Sequence, residues 1–336
     1  MAARRQREPP GSRTRIPTAL AAPHSPCPPR RRAEDLPRGR EPVNTPLVQA
    51  SWWYARLYPG GLDRLAPAVS RFLPPLVGLA QELGADRWFF IQYTDWKGPH
   101  LRLRIHGERD TVDRLHRRLP RIALDLAALA REGVPSRRVL VPFELGPFSG
   151  SHAGAEAGLY EPEDGKYGGP LGTELAEEVF QHSSDLALWA TSLQRPLDRA
   201  ALATLLLRAS VVALRDDGTS TDTAWFWERH LAWWTHDGGR EAEALRTRLR
   251  HSADADKLGI RSRIADMTTD PEVRARVQVW TEVLSAYLKR AKARQVAYSA
   301  GHLVFHQAHM MCNRLGVLPR EEALLGILAS EQPGSL

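Results

Sequence analysis

The chain has 336 residues, 43% hydrophobic and 25% charged, which allows one large or two modest domains with a substantial core. Its net charge of +7 sits almost wholly in residues 1–45, where ten arginines face four acidic residues, so the foldable part has no excess basic charge of the kind nucleic acid selects. No apolar run reaches the roughly 18 residues of a membrane span, no secretory apolar segment follows the first arginines, and Cys27 and Cys312 form neither a disulfide framework nor a zinc ribbon, which together fit a cytoplasmic protein.

Residues 1–45 also carry nine prolines and almost no large apolar side chains, so they cannot repay their ordering entropy and are expected to be a disordered Arg/Pro-rich tail. Order is expected from residue 46 onward. Ser51 to Tyr58 is aromatic and β-prone, and Pro59-Gly60-Gly61 closes it as a turn. Leu62 to Leu83 has helical spacing through Leu65, Val69, Phe72, Leu76 and Leu79, with Pro67, Pro74 and Pro75 expected to kink or break it. Asp86 to Gly107 reads as two strands joined by a polar loop. In the second, Leu101, Leu103 and Ile105 point one way, and His100, Arg102, Arg104 and His106 the other.

Asp110 to Glu132 is predicted as one amphipathic helix, using Leu115, Leu119, Ile122, Leu126 and Leu129. Arg137 to Phe143 is predicted as a short strand. Glu144 to Gly172 reads as a long irregular loop holding eight glycines. From Thr173 the pattern is helical: to about Leu193, Asp198 to about Arg215, Thr221 to His236 with Trp225, Trp227, Trp233 and Trp234, Arg240 to Arg250, Asp270-Pro271 to about Arg294, Val296 to Leu315, and Arg320 to Ser330. The expected fold class is α+β, a mainly antiparallel sheet in the N-terminal half packed with a helical C-terminal half. Residues 46–336 form one domain, sheet-rich to about 172.

Three stretches carry chemistry. Arg102 and Arg104 stand roughly 7 Å apart along one strand, flanked by His100 and His106; that pattern suits a sheet face wet on one side, and equally a carboxylate clamp. His302, His306, His309 and Asn313 share one helix face, with no HExxH and no nearby carboxylate to suggest a metal. The choice there is between a polar helix face and one histidine acting as general acid/base. In Tyr160 to Gly169, the Gly168-Gly169 pair could admit a ligand close to the backbone beside Lys166, or simply form a surface turn. The tryptophans read as core or helix packing, with a peptide groove as the alternative.

In this order, FFIQYTDWKGPHLRLRIHG, YEPEDGKYGG followed by HSSDLAL, and HQAHMMCNRLG resemble the motifs of one family. It is the C-terminal, glutamate-eliminating domain of class I lanthipeptide dehydratases, with the related stand-alone thiopeptide biosynthesis proteins. The resemblance spans about residues 50–320. It implies elimination of glutamate from glutamylated Ser or Thr of a precursor peptide, leaving dehydroalanine or dehydrobutyrine. A separate tRNA-dependent glutamylating protein would act first. By resemblance the catalytic residues are Arg102, Arg104, His309 and Lys166, the last a departure from the family's arginine. His100, Tyr160, Tyr167, Asn313 and Arg314 are expected to touch substrate. No cofactor, metal, nucleic acid or membrane is implied, and a homodimer stays open. Two alternatives remain: a thiopeptide pyridine synthase, joining two dehydroalanines in a formal [4+2] cycloaddition with loss of water and leader peptide, and a non-catalytic scaffold binding the precursor peptide or a partner.

Overall fold

The computed structural model describes residues 51–142, 150–195, 197–216 and 223–331. The tail at 1–45, Cys27 and Phe143 lie outside those residues. The strands are β1 (Ser51–Pro59), β2 (Arg87–Asp95), β3 (Gly98–Gly107) and β4 (Ala153–Gly158). The helices are α1 (Leu65–Glu82), α2 (Arg109–Arg117), α3 (Leu119–Leu129), α4 (Asp164–Tyr167), α5 (Pro170–Trp189), α6 (Asp198–Asp216), α7 (Ala224–Trp233), α8 (Ala242–Ala255), α9 (Ile260–Thr269), α10 (Pro271–Ala293), α11 (Ala300–Arg314) and α12 (Pro319–Ser330). The class is α+β, with an antiparallel sheet ordered β2-β3-β1-β4 and a helical C-terminal half.

Strand periodicity sorts the sheet into two faces. Trp53, Ala55, Leu57, Phe90, Leu101, Leu103 and Ile105 form the buried apolar face against α1, α2 and α3. Each large side chain removed from water there contributes roughly 1.5–3 kcal/mol. The opposite face carries Trp52, Tyr54, Arg56 and Tyr58 from β1, Phe89, Ile91 and Tyr93 from β2, and His100, Arg102, Arg104 and His106 from β3. It is covered in part: His100 is 0% exposed beneath the rings of Tyr58 and Tyr93, and Arg104 is 9% exposed beside Tyr160, whereas Tyr93 stays exposed.

Edge strand β2 is capped by side chains rather than by another strand. The Phe90 amide donates to Ser184 Oγ of α5 at 3.2 Å. The Gln92 amide donates to Asn313 Oδ1 and its carbonyl accepts from Asn313 Nδ2, both at 2.8 Å. Two helices distant in sequence are thus fixed to the strand beside β3.

Four expectations are corrected. Residues 137–142 form no strand: the Leu140 amide donates to Glu321 Oε1 at 2.9 Å, and Arg137 pairs with Glu321 Oε2. The sheet's fourth strand is instead β4, Ala-Gly-Ala-Glu-Ala-Gly, inside the stretch read as a loop. Its small residues are what let it pair with β1, since a Cβ on Gly158 would lie 2.7 Å from the Tyr54 ring. The single helix expected over 110–132 breaks at Arg118, where Pro120 removes an amide donor. Pro74 and Pro75 do not break α1; both sit on its exposed side, where the freed carbonyls face solvent rather than the core. At α10 the Asp270 side chain accepts from the Glu272 and Val273 amides, the N-cap expected from Asp270-Pro271.

Candidate active site

The charged face of β3 is a chain of held guanidiniums. His100 Nδ1–H donates to the Gly98 carbonyl at 3.1 Å, which leaves Nε2 to accept from Arg102 Nε at 3.3 Å. Burial lowers the His100 pKa, keeping the ring neutral as that geometry requires. The Arg102 guanidinium lies 3.4 Å from the centroid of the Tyr93 ring. With Nε and one face spent, its two terminal nitrogens have no protein partner among the described residues. Arg104 is boxed by the rings of Tyr54, Phe89 and Tyr160 at 5.2, 5.4 and 5.4 Å, and its Nε has no partner. Arg56, which the sequence reading passed over, stands directly across from Arg102 in the β1–β3 register. Like charges so placed repel.

Arg314 joins this group from α11. It is 2% exposed, donates from Nε to Ser184 Oγ at 3.0 Å, and leaves Nη1 and Nη2 without partners. Burial brings its pKa down to about 9, with the Arg104 charge acting the same way. Tyr167, fully buried beneath, also has an unpartnered hydroxyl. Tyr160 spends its hydroxyl on Glu177 at 2.7 Å and offers only its ring to Arg104. Among the described residues, none of Arg102, Arg104 and Arg314 has an ion-pair partner.

Lys166 sits on α4, about half exposed, and pairs with Glu163 at 3.0 Å. The Glu163 charge reaches both Arg104 and Tyr167. The Lys166 carbonyl accepts from His302 Nε2 at 2.9 Å, and the His302 and His306 rings lie 4.5 Å apart. Burial, then the charges of His302, Lys166 and His309, bring the His306 pKa down to about 4. Of the Gly168-Gly169 pair, both at positive φ, Gly168 meets this protein's own chain, where a Cβ would lie 2.6 Å from Val296, while a Cβ on Gly169 would meet open space. The aromatic residues of α7 and the Trp234 that follows it pack on α11, with the Trp234 ring 6.0 Å from Phe305 and 4.3 Å from His309. Trp233 is half exposed.

His309 stands one helical turn before Asn313, roughly 6 Å along the axis from the clasp on Gln92. Gln92 lies between Ile91, which pairs with Arg102, and Tyr93, which carries the Arg102 guanidinium. Around this line the Tyr160 ring lies 5.4 Å from Arg104, the Tyr167 ring 6.2 Å from His306, and Lys166 meets α11 through its carbonyl at His302. No direct bond joins His309 to either strand arginine among the described residues. His309 Nδ1–H donates instead to Glu322 Oε2 of α12 at 2.8 Å, and His230 Nε2–H of α7 donates to Glu322 Oε1 at 3.2 Å. Glu322 is a residue the sequence reading missed. Glu321-Glu322 after a helix-opening proline looks like ordinary first-turn acidity, and only the absence of exposure sets it apart.

No cluster of metal-ligating side chains occurs among the described residues, and no helix there is long and apolar enough to cross a membrane. Residues 52–331 match the family model described as the C-terminal part of lantibiotic biosynthesis dehydratases. Among solved structures, the chain is similar to MibB, the tRNA-dependent lantibiotic dehydratase of Microbispora sp. 107891, at 25% identity and a TM-score of 0.51 over 86% of this chain. It spans 28% of the length of MibB. The fold is also that of the pyridine synthase TbtD from thiomuracin biosynthesis (18% identity, TM-score 0.54, 84% of this chain and 97% of that one). TsrL shares it too (14% identity, TM-score 0.51, 84% and 94%). No curated protein sequence matches. The chain belongs to the lantibiotic biosynthesis dehydratase C-terminal family.

Proposed function

We propose that this protein eliminates glutamate from glutamylated Ser or Thr residues of a precursor peptide, giving dehydroalanine or dehydrobutyrine. The observation that carries this reading is the set of guanidiniums with no carboxylate of their own: Arg102, Arg104 and Arg314, with Arg56 opposite Arg102. Burying unpaired cations is unfavourable by several kcal/mol per ion, and an anionic ligand removes that cost. In elimination a base takes the Cα proton, its electron pair forms the Cα=Cβ bond, the Cβ–O ester bond breaks, and glutamate departs as a carboxylate. Arginines suit the departing carboxylate because they keep their protons and offer paired donors. His309 is the base in this reading, with its Nε2 free of protein partners among the described residues. Lys166 assists at the rim. His100, Tyr160 and Asn313 act by holding Arg102, Arg104 and α11 in place. Glutamylation falls to a separate tRNA-dependent protein.

The second reading is pyridine formation from two dehydroalanines, and Lys166 favours it: at the position where the family has arginine, it is half exposed and paired with Glu163. One experiment separates the readings. The protein is incubated with a glutamylated peptide and, separately, with a polydehydrated peptide, and both are weighed by mass spectrometry. Loss of glutamate is the expected result. Loss of water and leader from the second peptide instead assigns the cyclase, and tight binding with both masses unchanged assigns a scaffold.

A further inference from the structure

Between α7, α11 and α12 lies a polar cluster that no part of the arginine site touches. Its centre is Glu322, 0% exposed, with one carboxylate oxygen on His309 and the other on His230. A carboxylate in an apolar interior is expensive unless every lone pair that matters is served. Here burial pushes the carboxyl up, but the charges and hydrogen bonds of His309 and His230 outweigh it and bring Glu322 down to about 2. Facing the carboxylate are His309 and Cys312 from α11 and His230 from α7; His309 itself faces the Trp234 ring and the charge of His306. The cluster has little freedom. His230 is 1% exposed and lies against α12 at Gly326, where a Cβ would meet its ring at 2.5 Å.

The consequence concerns which nitrogen of His309 carries the proton. An ionised carboxylate accepts only, so His309 must present Nδ1–H to Glu322. Nε2 is then the bare nitrogen of the neutral ring, with no protein partner among the described residues. When it takes a proton, the imidazolium forms beside a fixed negative charge that needs no reorganisation. His230 holds the second oxygen and so fixes the angle of the carboxylate. A carboxylate that both orients an imidazole and stabilises its charged form is the logic of a base with an orienting third group.

We propose that Glu322 is the positioning residue for His309, holding it in the Nδ1–H tautomer and stabilising its protonated form, with His230 bracing Glu322. This inference rests on the elimination reading for its consequence in rate, but not for the tautomer. In the proposed cycle His309 Nε2 takes the Cα proton as glutamate leaves, and the imidazolium then returns that proton to solvent.

The test has two arms. The first is long-range proton–nitrogen NMR on the wild-type protein labelled at histidine, with no substrate present. His309 is expected with Nδ1 protonated and Nε2 bare at neutral pH. An Nε2–H tautomer, or an even mixture, overturns the proposal whatever the reaction proves to be. The second arm is the pH profile of kcat/KM for glutamate release, wild type against Glu322→Gln. Loss of the carboxylate removes the acceptor that fixes the ring, so the shape of the profile should change, with a rate loss of roughly 100-fold on the plateau. A profile of unchanged shape with a rate within twofold of wild type overturns it. If the wild type releases no glutamate at all, the elimination reading fails while the tautomer arm still decides the inference.

Discussion

The two polar clusters of this protein are built on opposite principles. The face of β3 gathers Arg102, Arg104, Arg56 and Arg314 around aromatic rings, and among the described residues no carboxylate pairs with any of the four. The cluster on α11 and α12 gathers histidines around one buried carboxylate, Glu322, that serves two of them. The second holds its own carboxylate and the imidazoles that pair with it, although His230 Nδ1 is buried without a partner. The first is incomplete, and its deficit has the sign and geometry of a carboxylate ligand. A site that binds an anion must leave its cations unsatisfied, whereas one that moves a proton must hold its imidazole firmly.

The sharpest way to break this contrast is to remove the open cation. Arg102→Ala should lower glutamate release by roughly 100- to 1,000-fold, the range for removing a donor aimed at developing negative charge. Thermal stability should hardly change, since Arg102 makes one hydrogen bond, to His100, and stacks on Tyr93. Single-turnover assays on a glutamylated peptide measure the first and a melting curve the second. A variant that turns over normally removes the anion site from the reaction.

Acid tests the closed cluster. The folded pKa of Glu322 lies below its value of 4.5 in the unfolded chain, at about 2. Its contribution is therefore present in full above that unfolded value and is lost as pH falls from there towards 2. The size is on the order of 3 kcal/mol. Urea unfolding across pH 5 to 2 should show this fall in wild type, and Glu322→Gln should flatten it. An equal slope in both proteins would separate Glu322 from acid stability.

How much of these clusters was legible in the sequence follows from the range over which each signal acts. The alternation in His100 to His106 put the arginines on one face correctly, because side-chain period two is local. The burial of Arg104 was not legible, since part of its cover comes from Tyr160, far along the chain. Strand β4 escaped because Ala and Gly carry no β-propensity; close approach to Tyr54 selects them instead. Residues 137–142 misled in the other direction, since their backbone is served by Glu321 rather than a strand. The α11 histidines were readable by helical spacing, but Glu322 was not, because nothing local marks a first-turn acid as buried.

Arg314 sharpens the contrast through stability. It is a buried cation whose Nη1 and Nη2 find no partner, and burial depresses its pKa. Arg314→Met keeps the volume and removes the unpaired charge. The expected result is a gain of about 2 kcal/mol in unfolding free energy together with weaker activity. Opposite movement of stability and turnover is the signature of a cation kept for a ligand. A loss of stability would mean that the bond to Ser184 Oγ outweighs the unpaired charge.

The smallest effect belongs to Lys166. Its side chain is about half exposed and its ammonium is spent on Glu163 three residues away, a surface pair of little energetic weight. Lys166→Met should shift unfolding free energy by less than about 0.5 kcal/mol. Its carbonyl, not its ammonium, holds His302, so α11 should stay in place. The rate should fall by less than about tenfold, because a rim charge steers an anion towards a site without closing on it, and that loss should shrink further at high salt. Lys166→Arg should match or exceed wild type if the rim position acts on the departing carboxylate, since a guanidinium offers it paired donors. If Lys166→Met instead loses activity as completely as Arg102→Ala, Lys166 belongs with the open cations of β3, and the pocket must close over substrate to bring it there.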